Sequence, residues 1–187
     1  RPIHPTPVVG VVGVLDDASL AVGAAFRKEG DVVLLAGDGP CAIDGSAYQR
    51  VVDGTTAGRI PEPDLAGERR LHEFLAAAAE RRLLRSVHDV ADGGVAIAIA
   101  ESAILGEIGV DAPSPGEPFA EGDGRAVISA SAEHVAELEA LAGELPLRRI
   151  GTVGGEEIAV AAASIRLDAA TELYENAIPK ALGEDPA

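Results

Sequence analysis

The residues best suited to chemistry in this chain lie together in the stretch SVHDVADGGVAIAIAES, residues 86–102. Asp89 and Asp92 are followed by Gly93 and Gly94, and then by an almost wholly apolar run. If a helix begins at the glycines, its unpaired N–H groups and its dipole favour an anion there. Two glycines would let a phosphate approach the backbone and would allow the positive φ of an anion-binding turn. These four residues, called the corner below, are therefore the candidate phosphate-binding residues.

The corner also has a purely structural interpretation. Both aspartates would repel a bare phosphate unless Mg²⁺ bridges them or the carboxylates face away. In the structural interpretation Asp92 caps the helix, the glycines permit the turn, and Asp89 bonds to nearby backbone. The residues alone leave both interpretations open, and they identify no catalytic residue and no metal site.

Other reactive side chains give weaker signals. The segment 37–45, GDGPCAIDG, is rich in glycine but lacks the Lys and Ser/Thr of a nucleotide-binding P-loop. The segment 121–124, EGDG, is compatible with a metal ion, a ribose hydroxyl or a solvated turn. Glu101 lies in the most apolar predicted helix, where it pairs with an arginine or occupies an exposed edge. We interpret the remaining candidates as structural or inert: Cys41, His4, His72, His88 and His134.

The elements that must position the corner follow from the hydrophobic periodicity. We predict strands over 6–15, 31–37, 85–90, 125–131, 147–154 and 156–162, with interior Gly10 and Gly13 marking close backbone approach or a bulge. We predict helices over 64–84, 93–105, 132–145 and 168–183, and a short one within 39–54. The last two strands are predicted to form a hairpin around Gly154 and Gly155. This alternation favours helices packed on a mixed sheet.

Composition limits the function classes. The 187 residues suit a single domain over 1–187, and 47% apolar residues suffice for a core. A net charge of −16 without a basic patch argues against nucleic-acid binding and against an anionic membrane surface. One cysteine excludes a disulfide framework or a zinc site by count, which suits a reducing compartment and a cytoplasmic location. The opening RPIHPTP has no methionine, and we interpret the chain as a piece of a longer protein.

Four motifs together resemble a known family: RPIHPTPVVGVVGVLDD, EGDVVLLAG, SVHDVADGGVAIAIAES and RRIGTVGG. In this order they are similar to the last domain of phosphoribosylformylglycinamidine synthase, the large ATP-consuming synthetase subunit of purine biosynthesis. The resemblance runs from Arg1 to about Val160. Single motifs are shared with aminoimidazole ribonucleotide synthetase, selenophosphate synthetase and thiamine-monophosphate kinase.

The resemblance implies a fold, a reaction and partners. The fold would be α+β, a three-layer α/β/α domain with a mixed sheet and partial ferredoxin-like topology, the second such domain of a longer synthase. The reaction would convert formylglycinamide ribonucleotide and glutamine-derived ammonia to formylglycinamidine ribonucleotide with the use of ATP. The resemblance places the catalytic histidines and most of the Mg²⁺ and ATP ligands in segments before Arg1. The partners would be the preceding domains, a glutaminase subunit and a small bridging subunit.

The resemblance also bears on which residues act here. The family's first domain of this type holds substrate with a Glu-Ser-Gln triplet, and the matching loop here has Glu121, Gly122 and Asp123. This departure implies a non-catalytic copy, inactive as an isolated chain, that keeps the corner geometry. Two alternatives stay open: a domain of another ATP-dependent enzyme of the superfamily, or a purely structural interaction domain.

Overall fold

The fold is built on one sheet with helices on both sides. In the computed structural model, residues 8–183 are described. The elements in chain order are β1 Val32–Ala36, α1 Ala47–Val52, α2 Leu65–Glu80, β2 Ser86–Asp89, α3 Gly94–Gly106, β3 Val110–Ala112, β4 Ala126–Ala130, α4 Val135–Ala142, β5 Leu147–Val153, β6 Glu157–Val160, β7 Ala163–Arg166 and α5 Leu167–Leu182. Short 3-10 turns precede β1, at Ala18–Leu20, and α4, at Ala132–His134.

The sheet is mixed and contains a ferredoxin-like half. The strand order is β2-β4-β1-β5-β3-β6-β7. All neighbours pair antiparallel except β3 and β6, which are parallel. The units β1-α2-β2 and β4-α4-β5 give the first four positions of the sheet, with α3 and β3 inserted between them. The predicted α+β class, mixed sheet and partial ferredoxin-like topology are therefore confirmed.

Two apolar clusters lie on opposite faces of the sheet. Strand β1 supplies both, because Val33 and Leu35 join the α3 side while Val32, Leu34 and Ala36 join the α2 and α4 side. A strand covered on both faces has no polar alternation, which explains its continuous apolar sequence. Fully burying each Val or Leu contributes about 1.5–3 kcal/mol. The three-layer arrangement predicted above is confirmed.

The helices follow their sequence signals closely. The side chain of Asp64 caps α2 by accepting a hydrogen bond from Ala66 N at 3.1 Å. Leu71, Phe74 and Ala78 form the buried stripe of α2. Helix α3 is apolar nearly all round and is buried on most sides despite its β-branched residues. Among the described helices, none has the length and hydropathy needed to cross a membrane.

The strand predicted over 6–15 is wrong for its described part. Residues 8–15 have no strand partner, and their apolar side chains are 61–96% exposed. Nothing lies within 4 Å of a Cβ added at Gly10 or Gly13, so neither marks a close approach. Thr6 and Pro7 lie outside the described residues. Strand-type composition needs a neighbouring strand to become a strand, and this segment has none here.

The hairpin predicted around Gly154 and Gly155 is also wrong. Strand β3 lies between β5 and β6, pairing Val110 with Val153 on one side and with Ile158 on the other. The predicted strands included neither β3 nor β7, and β7 forms the actual hairpin with β6. A three-residue strand has too little periodicity to be recognised, and its pairing is set by residues far away in the chain.

Candidate functional site

The four corner residues lie together at one end of the sheet. Asp89 ends β2, Gly93 and Gly94 begin α3, and Asp92 lies between them. Strand β1 ends and strand β4 begins at this same end, because these neighbours run antiparallel. A cavity of about 480 Å³ opens here, lined by both aspartates and by loop residues 121–125.

The glycines adopt the backbone conformation that the sequence indicated. Gly93 has a φ of +79° and Gly94 a φ of +70°, both in the left-handed region. A Cβ on Gly94 would lie 2.7 Å from Ala120 O, 2.8 Å from Pro118 O and 2.9 Å from the carbonyl carbon of Phe119. Gly94 is therefore required both by its dihedral angles and by the loop that crosses it.

Three of the N–H groups at the start of α3 donate hydrogen bonds within the protein. Gly93 N donates to Glu121 Oε1 at 2.6 Å, and Gly94 N donates to Ala91 O at 3.0 Å. Ala96 N donates to Pro118 O at 2.8 Å. The anion that a helix start favours is thus supplied by a carboxylate of the same chain.

Glu121 holds a second helix start with the same oxygen. Ala47 N, in the first turn of α1, donates to Glu121 Oε1 at 2.7 Å. The backbone of Glu121 is also fixed, because Glu121 N and Ala42 O pair at 2.9 Å, as do Ala42 N and Glu121 O. Bonds from amides to a charged carboxylate are among the stronger hydrogen bonds in proteins. One half-buried side chain therefore joins α1, α3 and the 121–125 loop.

Aromatic packing reinforces this junction. The rings of Tyr48 on α1 and Phe119 in the loop stack with centroids 4.7 Å apart and planes 21° apart. On the other side of the loop, Gly124 N donates to Glu68 Oε1 at 2.6 Å. Sequence reasoning considered Glu121 only as a possible ligand in a turn. The residue that organises the site was missed because its partners are 28 and 74 positions away.

Asp89 and Asp92 do not have the structural roles of backbone acceptor and helix cap that the sequence allowed. The residue at the N-cap position of α3 is Gly93, and no side chain caps it. The interpretation of Asp92 as a cap is therefore wrong, and both aspartates are exposed. Asp89 Oδ1 lies 3.4 Å from His88 Nδ1. The phosphate-binding role of Asp89, Asp92, Gly93 and Gly94 stays a prediction.

His88 and Glu101 form a pair that the sequence did not reveal. His88 Nε2 lies 3.0 Å from Glu101 Oε2, and His88 Nδ1 lies 2.7 Å from Asp89 O. Glu101 therefore pairs with a histidine and not with an arginine. The contact joins β2 to α3, and no local spacing rule predicts a strand–helix contact of this kind.

The remaining histidines and Cys41 are dispersed. His72 Nε2 lies 3.5 Å from Glu68 Oε2, and His134 Nδ1 lies 3.3 Å from Leu83 O. Cys41 is exposed, and His4 lies outside the described residues. Within residues 8–183, no group of three or more His, Cys, Asp or Glu side chains could hold a metal ion.

Comparison with protein families gives one match over most of the chain. Residues 28–162 match the model of the AIR synthase related protein, C-terminal domain. The subunit PurL of phosphoribosylformylglycinamidine synthase from Parasynechococcus marenigrum is 41% identical, with 82% of this chain and 22% of that protein covered. The same subunit from Thermobifida fusca is 38% identical over 97% of this chain and 25% of its own length. The chain thus spans about a quarter of the curated relatives it matches.

Solved structures agree on the fold. The Thermotoga maritima PurL complexed with FGAR superposes with a TM-score of 0.67 at 17% identity, covering 82% of this chain and 30% of that one. The hydrogenase maturation protein HypE gives a TM-score of 0.52 at 14% identity over 76% of this chain and 49% of that one. At these identities the likeness concerns the fold alone.

Substituting Gly94 tests the crowding at the corner. We expect Gly94→Ala to lower the free energy of unfolding by about 1–3 kcal/mol from backbone strain, with a further loss from the contacts with Pro118 O and Ala120 O. Gly155→Ala is the matched control, because Gly155 has a φ of +81° but nothing within 4 Å of an added Cβ. Denaturant midpoints measure both. Equal losses in the two variants would show that the loop does not crowd Gly94.

Removing the Glu121 carboxylate tests the junction. We expect Glu121→Ala to lower the free energy of unfolding by about 2–4 kcal/mol, because two amides lose a charged acceptor. The neighbouring exposed Asp123 is the control, and Asp123→Ala should change stability by less than about 0.5 kcal/mol. Urea unfolding followed by circular dichroism gives both values. A neutral Glu121→Ala would contradict the assignment of Glu121 as the acceptor that holds both helix starts.

Proposed function

This chain belongs to the family of the AIR synthase related protein C-terminal domain, and on that premise we propose that it is the last quarter of a phosphoribosylformylglycinamidine synthase subunit. The observation that carries the proposal is the identity of about 40% with PurL subunits over most of the chain, each covered for about a quarter of its length. The family match and the PurL-like fold support it.

The reaction proposed for the whole subunit is the ATP-dependent conversion of formylglycinamide ribonucleotide and ammonia to formylglycinamidine ribonucleotide. Most ATP and Mg²⁺ ligands are proposed to lie in other segments of that subunit, and the amides of Gly93, Gly94 and Ala96 at the start of α3 donate hydrogen bonds within the chain. No chemical step is placed on this chain, and the isolated chain is expected to be inactive.

The corner is proposed to be a phosphate cradle that its own protein fills. Gly93 and Gly94 have the backbone geometry of an anion-binding turn, and Glu121 supplies the anion. Asp89 and Asp92 add negative charge beside it, which further opposes phosphate. An external phosphate would bind at the corner only if the Glu121 carboxylate no longer accepted the hydrogen bond from Gly93 N.

The role of the domain is therefore proposed to be structural support of a larger assembly. Its partners would be the preceding domains of the same subunit, a glutaminase subunit and a small bridging subunit, in the cytoplasm. The observation that favours an interaction role is the apolar segment 8–15, whose valines and Leu15 are exposed. An exposed apolar segment of this size is typical of a protein–protein contact.

Activity of the isolated chain tests the assignment of chemistry. We expect no formylglycinamidine ribonucleotide when the purified chain is incubated with formylglycinamide ribonucleotide, ATP, Mg²⁺ and ammonium, because the chain spans only about a quarter of the relatives it matches and the proposal places the chemistry in the rest of the subunit. A full-length relative assayed alongside provides the positive control. Product formation by the chain itself, at a rate that scales with its concentration, would overturn the non-catalytic role.

Segment 8–15 offers a test of the proposed docking. In the isolated chain, replacing Val11 and Val12 with Asp should change the free energy of unfolding by less than about 0.5 kcal/mol, because both side chains are exposed. In the full subunit the same replacement should lower the thermal midpoint by several degrees, because it would place two charges in a covered contact. Val51→Asp, at a position on α1 that is 80% exposed, controls for added charge. Identical effects in chain and subunit would rule out docking through this segment.

A further inference from the structure

Arg125 is a buried cation without a carboxylate partner. Its relative exposure is 7%, and among residues 8–183 no Asp or Glu oxygen lies within 4.0 Å of its guanidinium. Arg125 Nη2 donates a hydrogen bond to Ala120 O at 2.8 Å. The buried Nε of Arg125 has no hydrogen-bond acceptor among the described residues. A buried charge without a counter-charge is costly, and arginine does not lose its proton to avoid that cost.

A second arginine lies on the same face of the sheet. Strand register aligns Leu35 of β1 with Val127 on one side and with Arg148 on the other. Because side chains alternate along a strand, Arg125, two residues before Val127, is on the same face as Leu35. Arg125 and Arg148 therefore lie on either side of the end of β1, on the same face of the sheet.

A cavity lies beside the two arginines. It has a volume of about 450 Å³ and is lined by both arginines and by Leu35, Gly39 and Cys41, among others. Gly37, which also lines it, has a φ of +83°, and a Cβ there would collide with the carbonyl oxygen of Gly124, so the backbone after β1 packs closely against the loop before β4. Arg148 donates to Ser114 O at 2.9 Å and to Pro115 O at 3.2 Å, which fixes its guanidinium at the rim.

We propose that this cavity is a binding site for a small oxyanion, a phosphate or carboxylate group, with Arg125 as its principal ligand. The planar guanidinium binds such groups through paired N–H donors, and burial strengthens these bonds. The anion would supply the counter-charge that the described residues do not. The inference rests on Arg125 and not on the synthase assignment, so the two can fail separately.

The other charges at the cavity restrict the ligand. Asp38 and Glu117 also line it, so its side chains are balanced, with two positive and two negative groups. The chain as a whole carries a net charge of −16. A polyanion such as a nucleoside triphosphate would be repelled by these carboxylates more strongly than a single phosphate or carboxylate group. We therefore assign the site to ligands with one oxyanion group.

Cys41 makes the proposal testable in the native chain, because it is the single cysteine, is exposed and lines the cavity. The probe is inorganic phosphate, and the readout is the rate of Cys41 alkylation by neutral iodoacetamide at constant ionic strength. With phosphate at about ten times its dissociation constant, about a tenth of the protein stays free, so alkylation should slow by up to about tenfold. Acetate should slow Cys41 alkylation if the site also accepts a carboxylate group. Potassium chloride should leave the alkylation rate unchanged, and ATP should slow it less than phosphate does.

Matched variants locate the effect. In R149Q, which changes the exposed neighbour of Arg148, phosphate should protect Cys41 from alkylation as it does in the native chain. In R125K the same protection should require at least about tenfold more phosphate, because lysine lacks the paired N–H donors of the guanidinium. Since R125K could fail to fold, the Nε–H resonance of Arg125 in the native chain gives a second readout and should move with phosphate. Unchanged alkylation and an unmoved resonance in the native chain, or equal protection in folded R125K, would overturn the proposal.

Discussion

The arrangement of this domain depends on one carboxylate oxygen, which accepts hydrogen bonds from the starts of two helices. Glu121 Oε1 accepts from Gly93 N and from Ala47 N, and thereby ties α3 and α1 to the loop that precedes β4. Helix starts leave backbone donors that must be satisfied, and a buried start without an acceptor is costly. By supplying the acceptor from a loop, the chain fixes that loop across Gly94 and shapes both cavities at this end of the sheet.

The contact with Glu121 explains why the corner resembles a ligand site although the amides of Gly93 and Gly94 already donate hydrogen bonds within the protein. Two glycines with positive φ at a helix start are equally suited to a phosphate and to a carboxylate of the same protein. The local sequence is identical in both cases, so only the position of Glu121 distinguishes them. Among the described residues at this end of the sheet, the buried Arg125 has no carboxylate partner and donates to Ala120 O of the same loop.

Sequence reasoning located what depends on near neighbours in the chain. It found α2, α3 as the most apolar helix, β1 as a strand, and the positive φ that Gly93 and Gly94 adopt. It failed where the outcome depends on distant partners. Segment 8–15 has strand composition but no neighbouring strand, β3 separates β5 from β6, and Glu101 pairs with His88 across two elements. Glu121 was missed for the same reason, since a lone glutamate in a loop carries no periodic signal.

Titrating phosphate while following the amide resonance of Gly93 tests most directly whether Glu121 fills the anion position. In the native chain we expect this resonance to stay unmoved at millimolar phosphate, with or without Mg²⁺, because its proton is already bonded to Glu121 Oε1 at a donor–acceptor distance of 2.6 Å. In Glu121→Ala the same resonance should shift with phosphate. A shift of the Gly93 amide in the native chain, equal to that in the variant, would contradict the internal carboxylate as the resident anion.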